Sequence, residues 1–214
     1  MRVDPLGSTA VLEVTHSDRL SGDIDIETLI RAVPSKHLVK GAFLAKNATL
    51  AGPEFEKLQP ALVAPPRGGR YLPFTDYPFV DYLRVTDAAA RRKFRSSGGR
   101  EAHRLLARSV YQTFSETTLG KVVGTLASGP ASVMLKYEEV YNRMVVGARV
   151  TMRQRGERHL EAEFINYFST VEAIVGVFEG MVLTFHGSPT LAVTVGDQGK
   201  PRGHYFAKIT WTGA

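Results

Sequence analysis

The chain has 214 residues, with 27 Lys and Arg against 21 Asp and Glu, a formal charge of +6. It contains no cysteine, which excludes a disulfide framework, a thiolate metal site, a cysteine nucleophile and a lipidated cysteine. Hydrophobic and charged fractions of 43% and 22% are those of a globular chain. No apolar run approaches the roughly 20 residues that cross a bilayer. The start, Met1-Arg2-Val3-Asp4-Pro5, lacks the order of a signal peptide, so a cytoplasmic location is expected.

Residues 1–22 read as a peripheral tail or, at Ala10 to Val14, a short strand. Residues 23–214 are expected to form a single domain. Asp23 to Val33 carries Ile26, Leu29, Ile30 and Val33 at helical spacing, and Pro34 stops it. Ser35 then caps an expected second helix carrying Leu38, Val39, Ala42, Phe43 and Leu50, and Pro53 to Leu62 gives a third short piece. Ala64-Pro65-Pro66-Arg67-Gly68-Gly69-Arg70 is a loop, followed by the aromatic turn region Tyr71, Phe74, Tyr77, Phe79 and Tyr82.

Helices are expected at Tyr77 to Phe94, Arg100 to Glu116, Thr117 to Ala127 and Ala131 to Met144, the last opened by Pro130. Near Val146 the period changes from 3.6 to two. Val146 to Arg155 and His159 to Phe164 alternate polar and apolar residues around Gly156-Glu157, the pattern of a hairpin. Ser169 is placed to cap a helix running to Phe185, and two strands follow, Leu191 to Val195 and His204 to Trp211. Helices first and strands last argue an α+β fold: a helical part at about 23–144, then a roughly four-stranded antiparallel sheet at about 145–214 with an internal helix packed on it. On that helix Gly176 and Gly180 lie four apart, which permits close backbone approach, here expected toward the sheet.

Motifs for common chemistry are missing: no phosphate-binding loop, dinucleotide fingerprint, serine elbow or His-Glu-x-x-His. The six histidines are scattered, and Glu138-Glu139 and Glu161-x-Glu163 read as solvated faces, so no catalytic or metal-ligating residue is assigned. The strongest electrostatic signal is the stripe Arg100, Arg104 and Arg108, repeating at i, i+4 on one helix face. It reads either as an exposed surface for an anion or a partner, or as a solvated face; the apolar Leu106 and Val110 opposite favour exposure. Nucleic acid is not an expected partner, since the segment lacks interleaved aromatics for stacking.

From about Asp25 onward the chain resembles a family of uncharacterised paralogous proteins of myxobacteria. The resemblance is carried by Leu38-Val39-Lys40-Gly41-Ala42-Phe43, by Tyr71-Leu72-Pro73-Phe74, and by the tail, where the strand Ala148 to Arg155 leads to Phe164-Ile165-Asn166-Tyr167-Phe168, Gly176-Val177-Phe178-Glu179-Gly180 and a strand ending in Trp211. The tail is more distantly similar to the haem-nitric-oxide-binding, vinyl-reductase and Bet3-type trafficking folds. That similarity implies helices followed by an antiparallel sheet with an internal helix, and a cavity between them for a small ligand or acyl chain. It does not bring the haem ligands: Lys136 to Met144 holds no histidine, and Arg149-Val150-Thr151-Met152-Arg153 is no Tyr-x-Ser-x-Arg. No cofactor is therefore expected.

The expected function is a non-enzymatic regulatory or sensory module that binds a small apolar ligand or a partner protein. The alternatives are a dimerising scaffold without ligand, and an anion- or nucleotide-binding protein that uses the arginine stripe. An enzyme with an unrecognised site is the remaining class.

Overall fold

A computed structural model of the chain describes residues 12–15, 17–116, 129–186, 191–196 and 203–212. The expected helix at Thr117 to Ala127 lies outside them. The helical part runs α1 (Ile26–Ala32), α2 (Gly41–Ala51), α3 (Pro53–Leu58), α4 (Phe79–Lys93), α5 (Gly99–Glu116) and α6 (Pro130–Met144). The sheet part runs β5 (Arg149–Gly156), β6 (His159–Ile165), α7 (Val171–His186), β7 (Leu191–Gly196) and β8 (Tyr205–Trp211). Asp25 caps α1 through its side chain, and Pro130 opens α6. Thr170, not Ser169, caps α7: its hydroxyl accepts from the Ala173 N–H at 3.2 Å.

The main sheet is antiparallel and has five strands in the order β1-β7-β8-β6-β5, one more than the sequence suggested. The addition is β1 (Leu12–Thr15), an edge strand paired with β7. Its alternation fits the layer beneath. Leu12 lies opposite Val195, which lies opposite Ala207, then Ala162, then Met152; Val14, Val193, Ile209 and Leu160 form the next row. All nine side chains are buried, because every second residue of each strand faces the helices. Phe178 of α7 packs on this inner face, its ring 6.3 Å from Phe164 of β6.

The opposite edge, β5, is partly covered by α6. The Asn142 side chain accepts from the Val150 N–H and donates to the Val150 carbonyl, both at 2.8 Å. Glu138 accepts from the Met152 N–H at 2.7 Å. At Val150 and Met152 side chains thus supply the partners that a further strand would, which blunts this part of the edge.

Two helix starts differ from expectation in the helical half: Ser35 does not cap the second helix, and Tyr77 lies in a strand, so α4 begins at Phe79. Leu38–Lys40 is not helical but forms β2, the centre of a second, three-stranded sheet with β3 (Asp76–Pro78) and β4 (Val145–Val146). Val39 is fully buried there, and Lys40 pairs across the ladder with Asp76 at 2.9 Å. The helix starts only at Gly41, where the carbonyls of Thr75 and Pro73 accept from the N–H groups of Gly41 and Ala42 at 2.9 and 3.1 Å. A Cβ at Gly41 would collide with the Leu72 carbonyl oxygen. The Leu38–Phe43 and Tyr71–Phe74 motifs are thus one unit, a loop whose carbonyls cap a helix.

Candidate functional site: an aromatic interior beside a buried ion pair

The arginine stripe does not lie on an exposed face. Helix α5 packs along α7, and Arg104, 1% exposed, is turned into that seam. Its guanidinium forms a two-point ion pair with Glu179 of α7, one contact being Nε to Oε2 at 2.9 Å. It also donates to the carbonyls of Asp18 at 2.5 Å and Thr15 at 2.9 Å. Burial works against its charge, but the Glu179 carboxylate outweighs it and holds the pKa above the usual arginine value. One turn earlier, Arg100 Nε contacts Glu172 Oε1 at 2.5 Å, while its Nη2 is buried without a partner. Arg108 is half-buried. The stripe is a structural seam that also fastens the segment after β1.

Gly176 and Gly180 belong to the same seam. They face α5 and not the sheet, because the aromatic and branched residues of α7 take the sheet side. A Cβ at Gly176 would collide with the Arg104 carbonyl oxygen, and one at Gly180 would come to 2.8 Å from that of Arg108. Missing side chains on α7 are what let the two backbones approach, and the carboxylates one turn to either side then reach the arginines.

Behind this seam, where α6, α7 and the sheet meet, aromatic side chains gather. Tyr137 and Tyr141, one turn apart on α6, have ring centroids 5.6 Å apart. Tyr141 lies 6.1 Å from Tyr167, which lies 5.1 Å from Phe164, and Tyr137 lies 6.1 Å from Phe178. Edge-to-face and tilted pairs at these separations are favourable ring geometries. Burial, followed by the neighbouring phenols, pushes Tyr141 and Tyr167 well above the usual phenol range, and Tyr137 upward as well. All three are neutral donors at physiological pH. The Tyr141 residue is 6% exposed and its hydroxyl has no hydrogen-bond partner. Such an orphaned group costs about 1–3 kcal/mol.

This cluster was not read from the sequence. The available signal was the i, i+4 pair Tyr137 and Tyr141, which alone says only that one face of α6 is aromatic. Glu172 and Glu179, the two acids on an otherwise apolar α7, are the sequence's sign of partners on a neighbouring helix.

A histidine-ligated haem does not fit the described residues. His103 of α5 shares a 3.0 Å hydrogen bond with Asp87 of α4. His204 is bonded to Glu163 at 2.9 Å, and His159 lies 3.9 Å from Glu161. The buried His37 ring stands edge-on to Phe168 at 5.1 Å. The contacts of these histidines are with carboxylates and with Phe168 and Phe206, and the tyrosine phenols are held protonated. Among the described residues no group of three or more His, Asp or Glu is placed to hold a metal ion, and no helix is long and apolar enough to cross a membrane.

Helices followed by an antiparallel sheet with an internal helix place the chain among H-NOX-like folds. The Fe(II) unliganded H-NOX protein from K. algicida superposes with a TM-score of 0.56 at 11% identity, covering 82% of this chain and 97% of that one. A point mutant of the T. tengcongensis H-NOX gives 0.57 at 18% identity, covering 81% and 97%. The S. oneidensis H-NOX protein in its Fe(II)NO ligation state gives 0.59 at 10%, covering 81% and 99%. At these identities the likeness is one of fold. Residues 32–212 match the family described as Protein of unknown function (DUF2378), and the chain belongs to that family. No curated protein matches it.

Proposed function

We propose that this chain is a non-enzymatic sensory module that takes a small, neutral and mainly apolar ligand into the aromatic interior between α6, α7 and the sheet. The observation that carries the reading is the Tyr141 hydroxyl, buried without a partner among Tyr137, Tyr167 and Phe164. Buried polar atoms are nearly always satisfied, so a ligand's acceptor completing that hydrogen bond explains why a tyrosine stands where phenylalanine would pack as well. The fold adds support by analogy alone, since folds host many functions. Among the described residues no cation acts on the phenols of Tyr137, Tyr141 or Tyr167, which disfavours an anionic ligand.

The test is native mass spectrometry of freshly purified protein, before and after denaturation. A non-covalent adduct released on denaturation is expected, and Tyr141→Phe should lower its occupancy about tenfold, the equivalent of one hydrogen bond of roughly 1.4 kcal/mol. An apo mass alone, together with Tyr141→Phe melting higher than the parent and binding nothing, would overturn the reading.

A further inference from the structure

The solvent face of the main sheet carries a second feature, independent of the tyrosines. Residues alternate along a strand, so those between the buried positions all point outward. In β5 these are Arg149, Thr151, Arg153 and Arg155; in β6, Glu161 and Glu163; in β8, Phe206 and Lys208. In register, Arg153 lies opposite Glu161, which lies opposite Lys208. The face is concave and encloses a groove of about 450 Å³.

Its charges do not balance. Glu161 is taken by Arg155 at 2.8 Å, and Glu163 by His204 at 2.9 Å. Among the described residues Arg149, Arg153 and Lys208, all exposed, have no carboxylate within ion-pair distance. The groove is therefore flanked by Arg153 on β5, with Arg149 beyond its rim on the same strand, and by Lys208 on β8, around a central row whose carboxylates already have partners. Beside them Phe206 is half-buried, its ring stacked on that of His204 at 5.1 Å and 26°. Because Asn142 and Glu138 of α6 occupy the β5 edge at Val150 and Met152, the face offers a partner more than the ladder does there.

We propose that this groove docks an extended acidic segment of another protein. Carboxylates spaced along such a segment reach Arg149 and Arg153 on one flank and Lys208 on the other, and an apolar side chain between them meets Phe206. A nucleic acid fits less well, since its unbroken run of phosphates would cross Glu161 and Glu163. Association of this kind is steered by the flanking cations and weakens with salt.

Fluorescence anisotropy tests the proposal with three labelled probes of equal length, about ten residues or nucleotides, enough to cross three strands at roughly 4.8 Å spacing. They are an Asp- and Glu-rich peptide carrying two aromatic residues, the same peptide with lysines for the acids, and a single-stranded oligonucleotide. The acidic peptide is expected to bind at about 0.1 M salt and to be released toward 1 M, where the Debye length falls to about 3 Å. The variant Arg149→Glu/Arg153→Glu/Lys208→Glu is expected to lose at least about tenfold in affinity with an unchanged thermal melt, because exposed charges contribute little to stability. Should that variant melt early, Arg153→Gln/Lys208→Gln carries the comparison, with a smaller loss expected. Equal binding by parent and variants overturns the proposal. So does preference for the oligonucleotide, or a concentration-dependent dimer of the parent that the variants lose, which would make a second copy the occupant.

Discussion

His37 is 2% exposed and neither ring nitrogen finds a hydrogen-bond partner. It sits under Gly147, where a Cβ would come to 3.0 Å from the ring, and edge-on to Phe168. Burial lowers its pKa below the ordinary 6.5; the backbone of Asn166 and Gly147 opposes this, and Lys36 adds to it. The folded protein therefore binds fewer protons than the unfolded chain once the pH drops below about 6.5. Stability from this group is whole above that value and declines as the pH falls toward the folded pKa. Urea unfolding measured across this window should show a fall in stability that His37→Leu flattens, by at most about 1.4 kcal/mol per pH unit, the value of one proton. Identical pH profiles for parent and variant would contradict the assignment. Arg104 shows why residues of this kind escape sequence reading. On its own helix it is one cation in an exposed-looking i, i+4 series; only the partner helix, far along the chain, buries it as fully as Glu179. Removing one member of such a pair is far costlier than never having had it, since the other charge stays buried alone.

Helices were the legible elements. Gly99–Glu116, Pro130–Met144 and Val171–His186 are long enough for their apolar period to repeat several times, and the switch to period two near Val146 marks where the main sheet's strands begin; the expected single strand Val146 to Arg155 is broken at Gly147, however, with Val146 in β4 of the small sheet and the main sheet starting at Arg149. β2 was not legible, because three residues cannot display a period and the pairing with β3 and β4 overrode the helical spacing of Leu38, Val39 and Ala42. The glycines of α7 were recognised as contact residues but assigned the wrong neighbour: spacing says that a face is flat, not what it is flat against. The α5–α7 seam gives a graded outcome. In an exposed helix, glycine to alanine gains about 1 kcal/mol. Here Gly176→Ala sets a methyl against the Arg104 backbone, and Gly180→Ala sets one at 2.8 Å from Arg108. Both should lower the urea midpoint, Gly176→Ala by the larger amount, on the order of 1–3 kcal/mol for overpacking. A raised midpoint for Gly176→Ala would mean that the helices lie farther apart.

Taken whole, the molecule is a helical half and a sheet half joined through the aromatic interior and the α5–α7 seam. The first strand belongs to the sheet by position and to the helical half by its fastening. Leu12 to Thr15 pair with β7, and Arg104 holds the carbonyls of Thr15 and Asp18. The family match, by contrast, begins at residue 32, so the homology unit and the physical unit do not coincide. A chain started at Ala32 keeps every family position yet strips β7 of its outer neighbour, opening an unpaired row of backbone groups beside Val193 and Val195. It also takes two acceptors from a buried guanidinium. Naked edges of this kind recruit other chains. Light scattering should therefore find the shortened protein associating at concentrations where the full chain does not, and an equally monodisperse short form would mean that β1 is dispensable. On that outcome β1, which lies before the recognisable family, guards an edge the family positions alone leave open.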